Sequence, residues 1–287
     1  MRPLVDWPLE DRRQLIGVFT DIDDTLTTNG AITPDALQAL HDLQSAGLHV
    51  IPVSGRPIGW SEPFARGDAA HGIAPWPVDA LVAENGAVAF TGENLYKNRL
   101  QPPSTVREQL SKLYQQDAPT RAANYTRMQT VVQQVLVAVP GARVSQDSAG
   151  RETDVAIDHS EFAHLTPAQT AQVVALMQAA GMTATVSSIH INGWFGAHNQ
   201  LMGARWIVRE LFGRDLTAEL SRWAFVGDST NDQLMFEHFP HSVGVANIRR
   251  FEAALAHKPR YITPNERGAG FAQVAQAVLK AQSIKTL

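Results

Sequence analysis

Short apolar runs with the character of strands alternate with helical patterns along this chain. The run at 15–20 precedes a helix that Thr33-Pro34 opens, and further strand-like runs occupy 49–53 and 80–83. Strands that alternate with helices are typical of a parallel sheet covered by helices. The sequence therefore predicts an α/β fold built on a parallel, Rossmann-like sheet.

The middle of the chain differs in composition and in its pattern of predicted helices and strands. Residues 92–120 are polar and rich in Gln and Pro, and candidate helices and short strands follow at 126–139, 153–157, 167–180, 182–187 and 189–192. The first pattern then resumes, with helices at 199–212 and from about 268, and strands at 223–226 and 242–246. We therefore predict a discontinuous core that carries an inserted α+β domain. The predicted limits are 1–90 and 193–287 for the core and 91–192 for the insertion.

Composition narrows the classes of protein to which the chain can belong. Its 287 residues have a net charge of −4, 44% hydrophobic residues and no cysteine, which suits a globular protein and excludes disulfides and thiolate metal sites. No apolar run approaches the roughly 18–20 residues of a membrane span, and no signal peptide is evident. Without a long basic stripe, nucleic acid is not expected as a partner. We expect a cytoplasmic enzyme that has no membrane partner.

The first strand ends in carboxylates two positions apart, Asp21 and Asp23. Side chains at i and i+2 leave the same face of a strand, so both can point into one site at its carboxyl end. Two neighbouring carboxylates repel unless a cation lies between them or one stays protonated. The pattern therefore indicates a divalent metal, a nucleophile–acid pair, or both, although Asp-x-Asp also occurs in surface turns.

Three further strand ends carry small or polar residues. They are Ser54, the Glu84-Asn85-Gly86 segment, and the group Asp228, Asn231 and Asp232. If the strands are parallel neighbours, all of these residues converge on one edge of the sheet, where open α/β sheets bind ligands. Carboxylate oxygens are hard ligands suited to Mg²⁺, and a serine hydroxyl with the amide of a following glycine can bind phosphate. The sequence therefore predicts a site for a metal and a phosphate.

Taken together, these strand ends resemble the haloacid dehalogenase superfamily. The resemblance is carried by Asp21-x-Asp23-x-Thr25, Ser54-Gly55-Arg56, Glu84-Asn85-Gly86 and Gly227-Asp228-x-x-Asn231-Asp232. The position of the insertion is similar to that of the C2-type cap in subfamily IIB, which includes Cof-like, sucrose-phosphate and trehalose-phosphate phosphatases. The resemblance implies a parallel-sheet core with an α+β cap, and a phosphoric monoester hydrolase activity.

The resemblance also implies roles for individual residues. Asp21 would be the nucleophile that forms an aspartyl-phosphate, and Asp23 the general acid and base. Mg²⁺ would be held by Asp21, the backbone carbonyl of Asp23 and Asp228, with Asp232 supporting them from behind. The implied phosphate-binding residues are Ser54, Gly55, Gln200 and Asn231. The implied substrate-binding residues are Arg56, Glu84, Asn85, Gly86 and His190.

One position departs from the family pattern. Gln200 stands where the family has a lysine at the start of a helix. Glutamine can donate hydrogen bonds, but it cannot neutralise a phosphoryl group, and charge-assisted bonds contribute about 1.5–3 kcal/mol against about 1 kcal/mol for neutral ones. Three interpretations remain open. The protein is a slow phosphatase, Arg56 replaces the lysine, or the site binds more than it turns over.

Some residues of the insertion have two interpretations. His190 ends a strand near the hinge and either touches substrate or is an ordinary polar strand end. Glu152, Asp154 and Asp158 alternate along a candidate strand, so two or three of them share a face. Carboxylates recognise sugar hydroxyls well, but we expect a solvated strand face here. The Glu84-Asn85-Gly86 segment is either a substrate-facing loop or a tight turn.

The sequence therefore predicts a Mg²⁺-dependent phosphohydrolase that acts on a small phosphorylated metabolite, with a sugar phosphate as the leading class. A phosphosugar mutase or phosphotransferase is the nearest alternative, because it would use the same core and cap. A weakly active protein that binds a phosphorylated metabolite is the other alternative, because of Gln200. A dinucleotide-binding dehydrogenase is not favoured, since no Gly-x-Gly-x-x-Gly follows the first strand.

Overall fold

The computed structural model describes residues 1–91, 111–187 and 189–283. Its strands are β1 (Arg2–Pro3), β2 (Gly17–Thr20), β3 (Thr27–Thr28), β4 (Ala31–Ile32), β5 (His49–Pro52), β6 (Ala80–Ala83), β7 (Val88–Thr91), β8 (Ser111–Tyr114), β9 (Arg143–Val144), β10 (Val155–Asp158), β11 (Thr183–Val186), β12 (His190–Trp194), β13 (Trp223–Gly227), β14 (His241–Gly244) and β15 (Tyr261–Ile262). Its α-helices are α1 (Leu9–Arg13), α2 (Pro34–Ser45), α3 (Ile58–Arg66), α4 (Ala118–Ala138), α5 (Pro167–Ala179), α6 (Gln200–Phe212), α7 (Leu216–Glu219), α8 (Gln233–His238) and α9 (Arg267–Ser283). None of these helices combines the length and apolar character that crossing a membrane requires.

The central sheet has six parallel strands in the order β1-β15-β14-β13-β2-β5. A parallel bridge from Val53 to Val82 continues it to β6, which pairs antiparallel with β7. Thr20 lies opposite both Val226 and Pro52, so the carboxyl ends of β2, β13 and β5 are level. The predicted α/β fold with a parallel sheet is confirmed, and the level strand ends place the residues that follow them side by side.

Apolar side chains fill both faces of this sheet. Along β2, Val18 belongs to the core cluster that α2 and α9 cover, and Phe19 to the one that α6 and α8 cover. Successive side chains of a strand point to opposite faces, which is why β2 reads as an unbroken apolar run. A sheet covered on both faces leaves only its edges and strand ends free for a ligand.

The inserted segment forms a second sheet with a core of its own. Its strands are antiparallel in the order β11-β12-β10-β9, and α4 and α5 pack against them. The buried cluster between them runs from Met128 to Phe195. This arrangement confirms the predicted α+β character of the insertion.

Two predictions on the insertion differ from the structure or lie outside it. β8 lies within the predicted insertion, but it pairs with β7 and extends the sheet that begins at β6. The polar segment predicted at 92–120 falls outside the described residues from 92 to 110. The domain limits 1–90, 91–192 and 193–287 therefore stay a prediction.

Candidate active site

The carboxyl ends of β2, β5 and β13 gather the polar residues of the site. The amide of Asp21 donates to the carbonyl of Val226 at 2.8 Å, and the amide of Val53 donates to Thr20 at 2.8 Å. These hydrogen bonds continue the pairing of β2, β13 and β5 by one residue beyond the sheet, in the same register. Asp21, Ser54 and Asp228 follow immediately, and all three are buried.

Three buried carboxylates form the centre of the site. Oxygen atoms of Asp21, Asp228 and Asp232 lie within 4.8 Å of one another, and the side chains are 7%, 2% and 0% exposed. Burial, followed by repulsion from the other carboxylates, raises the pKa of Asp21 and of Asp228 well above the ordinary range. Burial also raises the pKa of Asp232 to about 6. The cluster therefore concentrates negative charge that its own atoms do not balance.

This donor set suits a divalent cation such as Mg²⁺. The cluster offers carboxylate oxygens alone, which are the hard ligands that Mg²⁺ prefers. A cation among them would remove the repulsion that raises their pKa values. Asp232, predicted to support the metal from behind, is close enough to Asp21 and Asp228 to share an ion with them. The residues present therefore fit the metal that the sequence predicts.

Asn247 is a site residue that the sequence analysis missed. Its side-chain amide donates to Asp228 Oδ2 at 2.8 Å and to the backbone carbonyl of Asp24 at 3.0 Å. It therefore fixes one carboxylate of the cluster relative to the loop after β2. Asn247 lies in a short turn after β14 that carries no acidic motif, so no sequence pattern pointed to it.

Asp23 lies beside the cluster and is held by an arginine fork. Arg56 Nε and Nη2 donate to the two oxygens of Asp23 at 2.8 and 2.9 Å. Arg56 also lies over the ring of Trp60, with its guanidinium carbon 5.1 Å from the ring centroid. Two parallel charge-assisted hydrogen bonds fix the orientation of a carboxylate, so Arg56 fixes the orientation of the Asp23 side chain.

One cavity joins these residues. The predicted site residues that line it are Asp21, Asp23, Ser54, Gly55, Arg56, His190, Asp228 and Asn231. Ser187, Ile189, Asn192 and Ser229 complete its wall. The amide of Arg56 donates to Ser54 Oγ at 3.0 Å, which fixes the serine hydroxyl just beyond the carboxyl end of β5. Eight of the residues predicted from the sequence to form the site therefore line the same cavity.

Gln200 does not line this cavity. It begins α6 with a buried side chain that faces the Asp232 carboxylate, and neither of its amide atoms makes a well-formed hydrogen bond. It lines a neighbouring cavity instead. The structure thus places the predicted phosphate-binding residue behind the carboxylate cluster.

The Glu84-Asn85-Gly86 segment also lies outside the cavity. Glu84 is fully buried, and its carboxylate accepts hydrogen bonds from the amides of Ile58, Glu152 and Thr153. Gly86 has a φ of +100°, and a side chain there would collide with the backbone of α6 and the residue before it. These contacts hold the segment between the central sheet and the sheet of the insertion, away from the cavity.

The expectation of a solvated strand face is wrong for two of the three carboxylates that were expected to form it. Asp154 is fully buried, and Arg151 Nη1 donates to it at 2.8 Å. Asp158 is also buried, and its carboxylate accepts hydrogen bonds from the backbone amides of residues 160 to 163. Only Glu152 keeps partial exposure, and it pairs with Lys112 at 2.7 Å. Alternation along the strand indicated a shared face but not what covers it.

Arginines of both units tie the insertion to the core. Arg151 Nη1 also donates to the carbonyl of Gly55 at 3.0 Å, and Asn192 donates to the same oxygen at 3.1 Å. Arg56 lies 3.5 Å from Asp147 and 3.8 Å from Glu161. The loop after β5 is therefore held by side chains of the insertion on one side and by the sheet on the other.

Known structures share this architecture at low sequence identity. The chain is similar to a HAD/COF-like hydrolase from Plasmodium vivax, with 15% identity, a TM-score of 0.64, and coverage of 95% of this chain and 99% of that one. It is similar to the sucrose-phosphatase from Synechocystis sp. PCC6803 in complex with sucrose and phosphate, with 14% identity, a TM-score of 0.60, and coverage of 93% and 98%. A subclass IIB sugar phosphatase matches with 16% identity, a TM-score of 0.57, and coverage of 91% and 97%.

Sequence comparison adds the family. No curated protein matches the chain. The family model of haloacid dehalogenase-like hydrolases matches residues 18–176, which is more than half of the 287 residues and includes the carboxylates after β2. The resemblance inferred from the motifs is confirmed: the chain belongs to the haloacid dehalogenase-like hydrolases.

Proposed function

We propose that the protein is a Mg²⁺-dependent phosphohydrolase that acts on a small phosphorylated metabolite, in particular a sugar phosphate. The observation that carries this proposal is the meeting of Asp21, Asp228 and Asp232 at the end of the parallel sheet. Buried carboxylates without a counter-charge are costly, so their presence together indicates a function. Family membership supports a hydrolase, and the similar sugar phosphatases support the substrate class.

Asp21 would be the nucleophile. Its carboxylate oxygen attacks phosphorus while the bond from phosphorus to the ester oxygen breaks, which leaves an aspartyl-phosphate and an alcohol. Water then attacks the phosphorus of this intermediate, which releases inorganic phosphate and restores the carboxylate. A bound Mg²⁺, held by Asp21 and Asp228 with Asp232 beside them, would screen the negative charges that meet in this site.

Asp23 would move the protons. It lines the same cavity as Asp21, so it can protonate the departing ester oxygen and then accept a proton from the attacking water. The two bonds from Arg56 keep its carboxylate directed at the cavity. Arg56 is thereby committed to Asp23, which leaves it less free to replace a lysine at the phosphate.

The remaining residues would hold the phosphoryl group and shield it. Ser54 and the amides near Gly55 can donate to phosphoryl oxygens from one side, and Asn231 from the other. In this proposal the insertion is a cap, because its residues Ile189, His190 and Asn192 line the cavity opposite the sheet. A cover of this kind excludes bulk water and large substrates.

Phosphate release tests the proposal. We expect the purified protein to release phosphate from at least one sugar phosphate with Mg²⁺ present and not with EDTA, and Asp21→Asn to lower kcat at least about a thousandfold. The thermal melt of Asp21→Asn serves as the control for folding. Turnover that requires a sugar bisphosphate and yields an isomeric phosphate would identify a mutase instead. Full activity of Asp21→Asn would rule out the proposed nucleophile.

A further inference from the structure

Glu161 is an acidic residue of the insertion that contacts two residues of the candidate active site. Its carboxylate accepts a hydrogen bond from His190 Nε2 at 2.8 Å and lies 3.8 Å from Arg56 Nη1. Both partners line the cavity that Asp21 and Asp23 share. The function proposed above gives Glu161 no task, although its side chain lies where the insertion meets the catalytic carboxylates.

The sheet of the insertion determines where Glu161 lies. Asp158, the last residue of β10, pairs with His190 of β12. The Asp158 carboxylate accepts the backbone amide of Glu161 at 2.9 Å, together with three neighbouring amides, and this closes a tight turn directly after the strand. A carboxylate that accepts several backbone amides holds such a turn in one conformation. The turn therefore presents Glu161 to His190 and to the core.

Arg56 is held from two sides. Its Nε and Nη2 atoms donate to Asp23 of the core, and its Nη1 atom faces Asp147 and Glu161 of the insertion. The side chains of Arg56 and Glu161 are 12% and 25% exposed, so water screens their attraction only in part. The arginine that orients Asp23 is therefore itself held by carboxylates of the insertion.

The two carboxylates of the insertion differ in their other contacts. Asp147 also pairs with Arg151 at 3.3 Å and accepts a hydrogen bond from Ser145 at 2.6 Å, which places it among the ion pairs that join the insertion to the core. The side-chain partners of Glu161, in contrast, both line the cavity. A change at Glu161 thus perturbs the active site and leaves the pairs of Arg151 in place.

We propose that Glu161 is a positioning residue for the acid–base step, because it holds the Nη1 side of Arg56 and thereby keeps the Asp23 carboxyl group directed at the ester oxygen of the substrate. This inference rests on the proposed function, in which Asp23 is the general acid. The proton passes from Asp23 to the ester oxygen as the bond from phosphorus to that oxygen breaks, and Glu161 neither gains nor loses a proton. Proton transfer at the core then depends on a side chain of the insertion.

Two aryl phosphates separate the acid step from the rest of catalysis. p-Nitrophenyl phosphate releases an acidic phenol that needs little help from a proton donor, whereas phenyl phosphate releases a weaker acid that needs more. The readout is kcat/KM for p-nitrophenyl phosphate divided by kcat/KM for phenyl phosphate, with Mg²⁺ present. General damage to the fold or to phosphate binding lowers both constants and cancels in this ratio, whereas loss of the proton donor raises the ratio.

Single variants test the role of Glu161. Asp23→Asn removes the proton donor and should raise the ratio about a hundredfold. Glu161→Gln keeps the size of the side chain and removes its charge, and it should raise the ratio about five- to tenfold, the difference between a charge-assisted and a neutral contact. Glu10→Gln is the matched control, because Glu10 forms an exposed pair with Arg13 on α1, and it should leave the ratio unchanged.

A double variant tests whether Glu161 acts through Arg56. Arg56→Met alone should raise the ratio at least as much as Glu161→Gln does. Adding Glu161→Gln to Arg56→Met should then change the ratio by less than about twofold, since the group through which Glu161 acts is already gone. If the two effects multiply in the double variant, Glu161 does not act through Arg56 and the inference is overturned.

The proposed function and this inference fail in different ways. If the wild type releases phosphate from neither aryl ester nor from any sugar phosphate with Mg²⁺, the proposed function is wrong and the inference falls with it. If the aryl esters are hydrolysed but Asp23→Asn leaves the ratio unchanged, Asp23 is not the general acid, and the inference falls with that role. If Asp23→Asn raises the ratio and Glu161→Gln does not, the inference alone is overturned.

Discussion

Two groups of carboxylates in this molecule differ in whether the chain supplies a positive charge beside them. At the junction of the two sheets, Asp147 and Asp154 both pair with Arg151, whose side chain is only 2% exposed. At the end of the central sheet, no described lysine or arginine forms an ion pair with Asp21, Asp228 or Asp232. The first group carries its counter-charge within the chain, and the second group does not.

The difference separates structure from function. A buried ion pair whose hydrogen bonds are filled holds two segments in one arrangement, and it leaves nothing for a ligand to satisfy. Carboxylates without a counter-charge gain most when a cation binds. We therefore infer that the carboxylates paired with Arg151 have a structural role and that the cluster after β2 is the candidate active site.

Removing the counter-charge at the junction should have the largest effect on stability. Arg151→Met leaves the buried carboxylate of Asp154 and the partly buried carboxylate of Asp147 without their main partner, which costs about 3–5 kcal/mol. Urea unfolding measures this loss. Arg143→Met is the matched control, because Arg143 is exposed on β9, and we expect it to change the free energy of unfolding by less than about 0.5 kcal/mol. Equal effects of the two variants would erase the distinction between the groups.

Removing a charge from the unbalanced cluster should change how stability depends on pH. The pKa of Asp232 is about 6 in the folded protein against an ordinary value of 3.8. Between these pH values the folded chain holds a proton that the unfolded chain has released, so the free energy of unfolding falls as pH rises. At 1.36 kcal/mol for each pKa unit, Asp232 accounts for about 3 kcal/mol of this fall.

The variant Asp232→Asn isolates that contribution. Without Mg²⁺, the free energy of unfolding of the wild type should fall more steeply between pH 4 and 6 than that of Asp232→Asn. Chemical unfolding at a series of pH values gives both slopes. Parallel slopes would mean that the folded chain does not hold on Asp232 a proton that the unfolded chain has released.

Adding a fixed positive charge beside the cluster should have the smallest effect. Gln200→Lys brings an ammonium group next to Asp232 and, if the missing lysine limits the rate, should raise kcat about tenfold, the difference between a neutral and a charge-assisted hydrogen bond. Phosphate release under saturating substrate measures it. No gain would favour the interpretation that the site binds more than it turns over.

Much of the central sheet followed from local sequence signals. The strands at 49–53, 80–83 and 223–226 are largely apolar because both faces of the sheet are covered, and they match β5, β6 and β13 closely. The strand-end carboxylates could be placed together because parallel strands end on one edge. β7 and β8 were missed, since short antiparallel strands next to a polar segment have little local pattern of their own.

The surroundings of the site were less predictable because they depend on contacts distant in sequence. Glu84 looked like a substrate residue beside a strand end, but two of its hydrogen-bond partners, Glu152 and Thr153, lie 68 and 69 positions further along the chain. Asp154 looked solvated because its cover, Arg151 and the core loop at Gly55, is set by how the two sheets meet. Asn247 belongs to no motif and reaches Asp228 across 19 positions.

Binding of Mg²⁺ to the metal-stripped protein tests the central claim most directly. Isothermal titration at pH 7.5, without any substrate, should show one ion bound by each chain, and Asp228→Asn should weaken this binding at least about tenfold because it removes one charged ligand. Asp154→Asn, a carboxylate of the junction, should leave the affinity unchanged. Absence of binding by the wild type, or equal affinity in wild type and Asp228→Asn, would contradict the claim that these carboxylates share a cation.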